Sequence, residues 1–322
     1  MVLPKYPGVR WTRWILASWC LLWLASGCAA ESPASESPLS SLPTPEPSLV
    51  PTSGPYLDQP APGPLPQMFA PGIVSMEDQS EYAITFSPDG TEIYYTGGPA
   101  GGIMVIRLVN GQWAEPEITS LSVAYDSWGP FVSPDGSKLY FVSNRPPASA
   151  PDRQDANIWV ASRVEGGWSE PEYVPAPINT PFHEDTPFVA SDGTLYFVSD
   201  RPEGLGLSDV YASPLTQDGY TKVENLGEPV NSPYVDEGPV LTQDNRVMLL
   251  ASNRPGTIGE ADLFSSILGA DGAWQEPENL GEAINTFGPE YAPRLSLDDR
   301  FLFFSAQGDI YWVDANVLDL GE

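Results

Sequence analysis

The sequence predicts an all-β fold, a five-bladed β-propeller built from four-stranded antiparallel blades. Five copies of one pattern support this prediction, each a short apolar segment, an Asp-containing turn and a second apolar segment. The turn aspartates are spaced by 46, 57, 52 and 54 residues and are Asp89, Asp135, Asp192, Asp244 and Asp298. A repeat of this size made of short strands is typical of propeller blades. No segment shows the sustained apolar periodicity of a helix.

The second copy shows how one blade is built. An apolar segment at 129–133 predicts the first strand, and the Pro-Asp-Gly turn at 134–136 predicts a hairpin. Residues 138–143 are rich in aromatic and β-branched side chains, which favours a second strand. Segments 157–161 and 168–174 complete the blade as its third and fourth strands.

The fifth copy predicts how the ring closes. It has no Trp-Glu-Pro segment after its third strand, so it lacks a fourth strand of its own. Segment 72–75 precedes Glu81 as a fourth strand precedes the next blade elsewhere in the chain. We therefore expect this N-terminal strand to complete blade five, which leaves no open sheet edge.

Residues 1–28 have the pattern of a signal peptide. A basic beginning is followed by an apolar run at 14–24, which is too short to span a membrane. Three small residues at 25–27 then precede Cys28 and resemble the lipobox of bacterial lipoproteins, which implies that Cys28 is lipidated. The alternative is an ordinary cleaved signal that removes Cys28 or leaves it as a free thiol.

Residues 29–65 are rich in proline and serine and have few large apolar side chains, so we expect a disordered tether. The propeller domain is then residues 66–322. The two cysteines of the chain are Cys20 and Cys28, so this domain contains neither a disulfide nor a thiolate metal site.

The formal net charge of −29 limits the possible partners. Non-specific binding of nucleic acid requires a basic surface and is therefore excluded. The same charge disfavours docking on anionic lipid head groups, so we expect membrane contact through the lipid anchor alone. A solvated acidic exterior also favours a soluble monomer.

Several short motifs recur in register with the blades. Ser143-Asn-Arg-Pro146, Ser199-Asp-Arg-Pro202 and Ser252-Asn-Arg-Pro255 each follow a second strand. With the Pro-Asp-Gly turns, they resemble the TolB-like, WD-repeat-like (PD-G repeat) β-propellers of bacterial envelopes, over residues 66–322. The resemblance implies a module for protein–protein contact in the periplasm or at the cell surface, and it implies no enzymatic activity.

One face of the propeller is predicted to collect opposite charges. Three arginines follow second strands, and acids lie at or before the first strands. We expect these groups to form a structural charge ring, because a guanidinium binds carboxylates bidentately. The members of this ring are Arg145, Arg201, Arg254, Asp126, Asp185, Asp236 and Glu237.

Blades one and five lack the arginine, so Glu81 and Glu290 have no partner in their own blades. Aromatic residues follow both acids, and the single histidine of the chain precedes Glu184. An acidic and aromatic mouth of this kind could hold a peptide, a sugar or a cation. The candidate residues of this mouth are Glu81, Tyr82, Trp128, His183, Glu184, Glu290 and Tyr291.

The sequence therefore predicts a lipid-anchored, extracytoplasmic propeller that binds or scaffolds an envelope protein or peptide. No catalytic residue, metal site or cofactor is expected. The many acids leave Ca²⁺ binding open, but no loop shows the regular Asp-x-Asp-x-Asp spacing of a calcium site. The alternative is a carbohydrate-binding protein or glycoside hydrolase that uses Glu81, Glu184 and Glu290 as inward carboxylates.

Overall fold

The computed structural model describes residues 54–318, and the predicted five-bladed β-propeller is confirmed. Each blade is an antiparallel sheet, and the first strands of the five blades contact one another around a central channel. None of the helices among residues 54–318 is long and apolar enough to span a membrane.

The strands are assigned as follows. A short N-terminal strand is β1 (Gln67–Met68). Blade one contains β2 (Tyr82–Phe86), β3 (Glu92–Gly97), β4 (Gly102–Val109), β5 (Gln112–Trp113) and β6 (Glu117–Ile118). Blade two contains β7 (Ser127–Val132), β8 (Lys138–Ser143), β9 (Asn157–Val164), β10 (Gly167–Trp168) and β11 (Glu172–Tyr173). Blade three contains β12 (Glu184–Val189), β13 (Leu195–Ser199), β14 (Asp209–Ser213), β15 (Leu215–Thr216), β16 (Gly219–Tyr220) and β17 (Glu224–Asn225). Blade four contains β18 (Asp236–Leu241), β19 (Val247–Ser252), β20 (Asp262–Ile267) and β21 (Glu278–Asn279). Blade five contains β22 (Glu290–Leu295), β23 (Phe301–Ala306) and β24 (Asp309–Asp314). The 3₁₀ helices are Pro55–Asp58, Ser120–Ser122 and Ala315–Val317.

An N-terminal strand closes blade five, as predicted, but it is not segment 72–75. The closing strand is β1, which pairs antiparallel with β24 and places Gln67 opposite Trp312. Phe69 follows β1 and is 0% exposed between Phe303 and Trp312. The chain must then turn towards blade one, so segment 72–75 forms a turn in which Gly72 N–H donates to the Ser75 carbonyl at 2.8 Å.

The folded unit also contains residues 54–65, which we had assigned to the tether. The Tyr56 ring lies 5.5 to 6.0 Å from the rings of four core aromatics, which are Phe86, Phe301, Phe303 and Trp312. Trp113 Nε1 donates to the Gly54 carbonyl at 2.9 Å. These contacts correct the predicted boundary at residue 65. The predicted signal peptide and tether residues 29–53 lie outside the described residues.

The outer strands differ from the single fourth strands that we predicted. In blades one and two a short hairpin piece and a separate two-residue strand both pair with the third strand. Pro116 and Pro171 lie between the two pieces. Proline has no amide hydrogen to donate, so the ladder is interrupted at these positions.

Buried asparagines close three of the blades. The Asn179 side chain bonds both backbone groups of Ile158, with distances of 2.9 Å to its N–H and 2.7 Å to its carbonyl. Asn231 and Asn285 bond the third strands of the next two blades in the same way. These side chains stand in for an outer strand and fix each inter-blade link, because buried backbone groups need partners.

The closing contacts predict a large effect of Phe69→Ala. Removing a fully buried phenylalanine costs about 3–5 kcal/mol, because transfer energy is lost and a cavity remains. The matched control is Phe287→Ala, since Phe287 is 87% exposed, and we expect a change within about 0.5 kcal/mol. Urea unfolding of both variants measures the difference. Equal stabilities would show that β1 and Phe69 do not hold the ring closed.

Candidate functional site

Every first strand contains a β-bulge at the same place. The pairing with the second strand shifts register in all five blades. The bulged residue has a positive φ, between 44° and 63°, and is Ala83, Gly129, Thr186, Gly238 or Ala292. Left-handed backbone is unfavourable for a residue such as Thr186, so the surrounding structure must impose it. Bulges re-aim side chains, and such strain is concentrated at functional positions.

The two side chains that precede the bulge point to opposite sides of the strand, as in any regular strand. The first side chain of each pair is almost fully buried behind the strand, and these residues are Glu81, Ser127, Glu184, Asp236 and Glu290. The second is half-buried and faces the channel. We call the second set the mouth ring, and it consists of Tyr82, Trp128, Asp185, Glu237 and Tyr291.

Contacts between blades join the members of the mouth ring. Trp128 Nε1 donates to Asp185 Oδ2 at 3.1 Å, which connects blades two and three. The rings of Tyr82 and Tyr291 lie 6.2 Å apart and connect blades one and five. Glu237 lies between Asp185 and Tyr291 and interacts electrostatically with both. All five blades therefore contribute one side chain to a single site.

The two acids of the mouth ring, Asp185 and Glu237, have raised pKa values, which favour their neutral, protonated forms. Within residues 54–318, no lysine or arginine nitrogen lies within 4.0 Å of Asp185 or Glu237. Burial, and then the charges of Asp185 and Asp236, raise the pKa of Glu237 to about 7. Burial also raises the pKa of Asp185, against the opposing effect of the Trp128 hydrogen bond. Neighbouring carboxyl groups in a poorly hydrated site favour the protonated form in this way.

The acids behind the bulges in blades three and four hold the inter-blade loops. Glu184 accepts from the Thr180 N–H at 2.9 Å and from Arg201 Nη2 at 3.3 Å. Asp236 has the same role and accepts from Arg254 Nη2 at 2.5 Å. The predicted pairing of arginines with acids therefore occurs, but with these two buried acids. Glu184 lies behind the mouth, and the channel-facing acids of the mouth ring have no arginine partner.

Glu81 and Glu290 also lie behind the channel wall, although we placed them in the mouth. Glu290 accepts from the Thr286 N–H at 3.0 Å and from the Thr286 hydroxyl at 2.6 Å. Glu81 Oε2 accepts from the Met76 N–H at 3.2 Å, and its Oε1 has no hydrogen-bond partner. Burial raises the pKa of Glu81 to about 7. Both acids are 0% exposed, so neither reaches a ligand in the channel.

Arg145 has no acid beside it, because Ser127 occupies the position that an acid holds in the other blades. Its guanidinium lies 5.2 to 5.5 Å from the rings of Tyr125, Phe141 and Trp159. These cation–π contacts hold the arginine in place of an ion pair.

The remaining predicted residues lie on loops outside the mouth ring. Asp126 is exposed and accepts from Asn144 Nδ2 at 2.9 Å. His183 is exposed beside Asp185, and its Nδ1 lies 3.4 Å from the Ala156 N–H that donates to it. Within residues 54–318 no group of three or more His, Cys, Asp or Glu side chains has a geometry that could hold a metal ion.

Exposed apolar side chains surround the mouth ring. They lie in loops that lead into first strands or join second and third strands, which meet on this face. We call them the rim, and they are Val123, Tyr125, Phe182, Leu205, Leu207, Tyr234 and Phe287. Their exposure ranges from 39% to 87%. Apolar patches of this kind mark interaction sites on soluble proteins.

The sequence contained a signal for the mouth ring that we did not use. Aligning the five copies on their turn aspartates places Asp185 and Glu237 in the same column as Tyr82, Trp128 and Tyr291. We assigned the two acids to the structural charge ring because each lies in a blade that contains an arginine with which it could pair. The column shows that they occupy the channel position.

The fold is similar to solved β-propellers of several kinds. TolB from Acinetobacter baumannii is 16% identical with a TM-score of 0.43, over 72% of this chain and 53% of that one. The GH43 endo-arabinanase from Bacillus licheniformis is 15% identical with a TM-score of 0.48, over 74% and 94% of the two chains. The α-L-arabinofuranosidase from Lactobacillus brevis is 18% identical with a TM-score of 0.43, over 70% and 82%. This chain thus matches about half the length of TolB, and identities this low show the fold alone.

No protein-family model and no curated protein matches the chain. The prediction that the protein is not an enzyme is wrong. It rested on a family resemblance, and the similar propellers include two glycoside hydrolases beside TolB. The propeller fold does not by itself assign a function, so only the site can indicate one.

The raised pKa of Glu237 predicts a pH-dependent stability. An unfolded glutamate titrates near 4.5 and the folded one near 7, so the folded state holds the proton more tightly. The free energy of unfolding should therefore fall as the pH rises from about 4.5 to 7. Glu237→Gln should reduce this fall. Part of the fall should remain in the variant, because Glu81 is still present and its pKa is also about 7. Urea unfolding between pH 4 and 8 (roughly the range in which both states change charge) measures the slope.

The matched control is Glu203→Gln, which removes an exposed acid from the same face. It should leave the slope unchanged. If the free energy of unfolding depends on pH equally in Glu237→Gln and in the wild type, Glu237 is ionised as readily in the folded as in the unfolded chain.

Proposed function

We propose that this protein is an extracytoplasmic binding module that holds a partner polypeptide on the face around the channel mouth. A basic side chain of the partner enters the mouth ring. The observation that carries this proposal is the pair of Asp185 and Glu237, which have no lysine or arginine partner among residues 54–318 and are flanked by three aromatic rings.

The chemistry of the mouth ring favours a cation. Two carboxyl groups in a partly desolvated site produce a strong local negative potential, because the local dielectric constant is lower than that of water. The faces of Tyr82, Trp128 and Tyr291 add their own attraction for a positive charge. A lysine or arginine side chain is long enough to reach such a site while its backbone stays outside.

The rim favours a polypeptide over a free cation. Its seven apolar side chains would stay in water around a small ion, but a partner chain would cover them. Aromatic side chains at the centre of a contact supply much of the binding energy in protein interfaces. The net charge of −29 would also steer a basic partner towards this protein.

The same acids support a second candidate, a carbohydrate-active site. Glycoside hydrolysis requires two carboxyl groups whose pKa values are held apart, one to donate a proton and one to act as base or nucleophile. Glu237, with a pKa near 7, has the property of the acid, and Asp185 would be the second group. Trp128 beside Asp185 could stack on a sugar ring.

The anchor belongs to the same proposal. The apolar run at 14–24 and the small residues before Cys28 support export and lipidation, and residues 29–53 would space the propeller from the membrane. The partner would then be an envelope protein or peptide that the propeller reaches outside the cytoplasm.

A peptide selection tests the binding proposal. Random peptides are selected on the immobilised protein, resynthesised, and measured by calorimetry. We expect bound sequences to carry Lys or Arg next to apolar residues, and Glu237→Gln to weaken them by about 10-fold, or ~1.4 kcal/mol. Affinity should rise through pH 7, because deprotonation of Glu237 creates the charge that binds the cation.

Two controls sharpen this experiment. Glu203→Gln should not change the affinity, and acetylation of the peptide lysine should abolish binding. Binding that ignores Glu237→Gln and lysine acetylation would contradict the proposal. Hydrolysis of aryl glycosides that is lost in both Asp185→Asn and Glu237→Gln would instead favour the second candidate.

Anchoring is tested separately by Cys28→Ser. The tether sequence has few large apolar side chains, so this variant should leave the propeller in the soluble fraction, whereas the wild type stays with the membranes. Metabolic labelling with a fatty-acid analogue reports the lipid directly. Equal membrane association of both proteins would contradict a lipid anchor at Cys28.

A further inference from the structure

The opposite end of the channel contains a second cavity. It has a volume of about 400 Å³ and is lined by the last residues of the five first strands and by the turns that follow them. We call it the lower cavity. Its walls include Phe131, Phe188 and Val240, and its opening is bordered by Gln243 and Asp299.

One wall position of the lower cavity differs between blades. In each blade, the residue three positions after the mouth-ring residue lies in the cavity wall. This residue is uncharged in four blades and is an arginine in blade five. These residues are Thr85, Phe131, Phe188, Val240 and Arg294. The arginine is therefore not a requirement of the repeat.

Arg294 is buried without a counter-charge. It is 4% exposed, and within residues 54–318 no carboxylate oxygen lies within 4.0 Å of its guanidinium. Its hydrogen bonds are long, 3.3 Å to the Pro293 carbonyl and 3.4 Å to the Pro187 carbonyl, and its Nε has no partner. The guanidinium carbon lies 5.3 Å from the centre of the Phe131 ring.

The other buried arginines show how unusual this is. Arg201 and Arg254 also occupy buried positions, and each is paired with a buried acid. A buried charge without such a partner is costly, and an apolar side chain at the same place would avoid that cost. Burial lowers the pKa of the Arg294 guanidinium to about 10, which leaves it charged at neutral pH.

We propose that the lower cavity binds a small organic acid, whose carboxylate pairs with Arg294 and whose apolar body lies against Phe131, Phe188 and Val240. The cavity volume is within the range of small-molecule sites. A guanidinium with free donors matches a carboxylate, which it can bind through two parallel hydrogen bonds. This site is separate from the proposed function, because it lies at the other end of the channel.

The opening selects for a single negative charge. Asp299 lies at the border of the cavity, and its Oδ2 accepts from the Gln243 N–H at 2.8 Å. A second carboxylate on the ligand would face this acid, whereas a neutral or apolar end would not. The ligand class is therefore a monocarboxylate with an aromatic or branched aliphatic body.

Phenylacetate is a suitable probe, with phenylacetamide as its neutral analogue and inorganic phosphate as an anion without an apolar body. Binding to the full chain is measured by calorimetry and by the shift in melting temperature. We expect phenylacetate to bind and to raise the melting temperature, and the two other compounds to have no effect. Arg294→Met should reduce the affinity for phenylacetate by at least about 10-fold.

Three further variants make the result specific. Arg246→Met removes an exposed arginine from a turn on the same face and should leave binding unchanged. Val240→Phe fills the cavity but keeps Arg294, and it should abolish binding even where Arg294→Met fails to fold. Glu237→Gln in the mouth ring should leave phenylacetate binding intact, which separates this test from that of the proposed function.

The opposite results would overturn the proposal. Two results would show that the lower cavity is not the site. One is that the wild type does not bind phenylacetate, and the other is that Arg294→Met and Val240→Phe bind it as tightly as the wild type. Binding of phosphate as tight as that of phenylacetate would overturn the assignment to an organic acid.

Discussion

The β-bulge in each first strand is the constraint on which the rest of the propeller depends. A regular strand would send neighbouring side chains to opposite faces of the sheet. Before the bulge this alternation holds, so one side chain points behind the strand and holds the preceding loop, and the next faces the channel. The extra residue of the bulge then brings the residue three positions further to the channel face as well, which a regular strand would not do. The left-handed residue therefore sets both ends of the channel wall, and the packed ring around it sustains strain at positions such as Thr186.

Separating these two roles allows the channel to vary while the ring stays closed. The buried position is an acid in four blades, and its chemistry is the same in each, since it satisfies backbone donors of the inter-blade loop. The residue at the channel position does not bind these backbone donors, and its type differs from blade to blade. No arginine directly follows the second strands of blades one and five, and apolar packing of Tyr56 and Phe69 against Trp312 holds the seam between these blades instead.

The sequence was sufficient for the number of blades, because the turn and strand patterns repeat, and for closure by an N-terminal strand. It did not identify β1, since a strand of two residues has no periodicity that can be recognised. It also misplaced the acids of the mouth. In the pairs Glu184-Asp185 and Asp236-Glu237, the position of the bulge decides which of the two acids faces the channel. The sequence does not reveal this bulge, because a residue such as Thr186 gives no sign of a positive φ.

The five first strands give the channel opposite electrostatic character at its two ends. Residues just before the bulge place two acids at the mouth, and a residue three positions further places Arg294 at the lower cavity. Each end therefore repels the ligand that the other attracts, because a cation is disfavoured beside Arg294 and an anion beside Asp185 and Glu237. Two ligands of opposite charge could therefore occupy one channel without competing for the same residues.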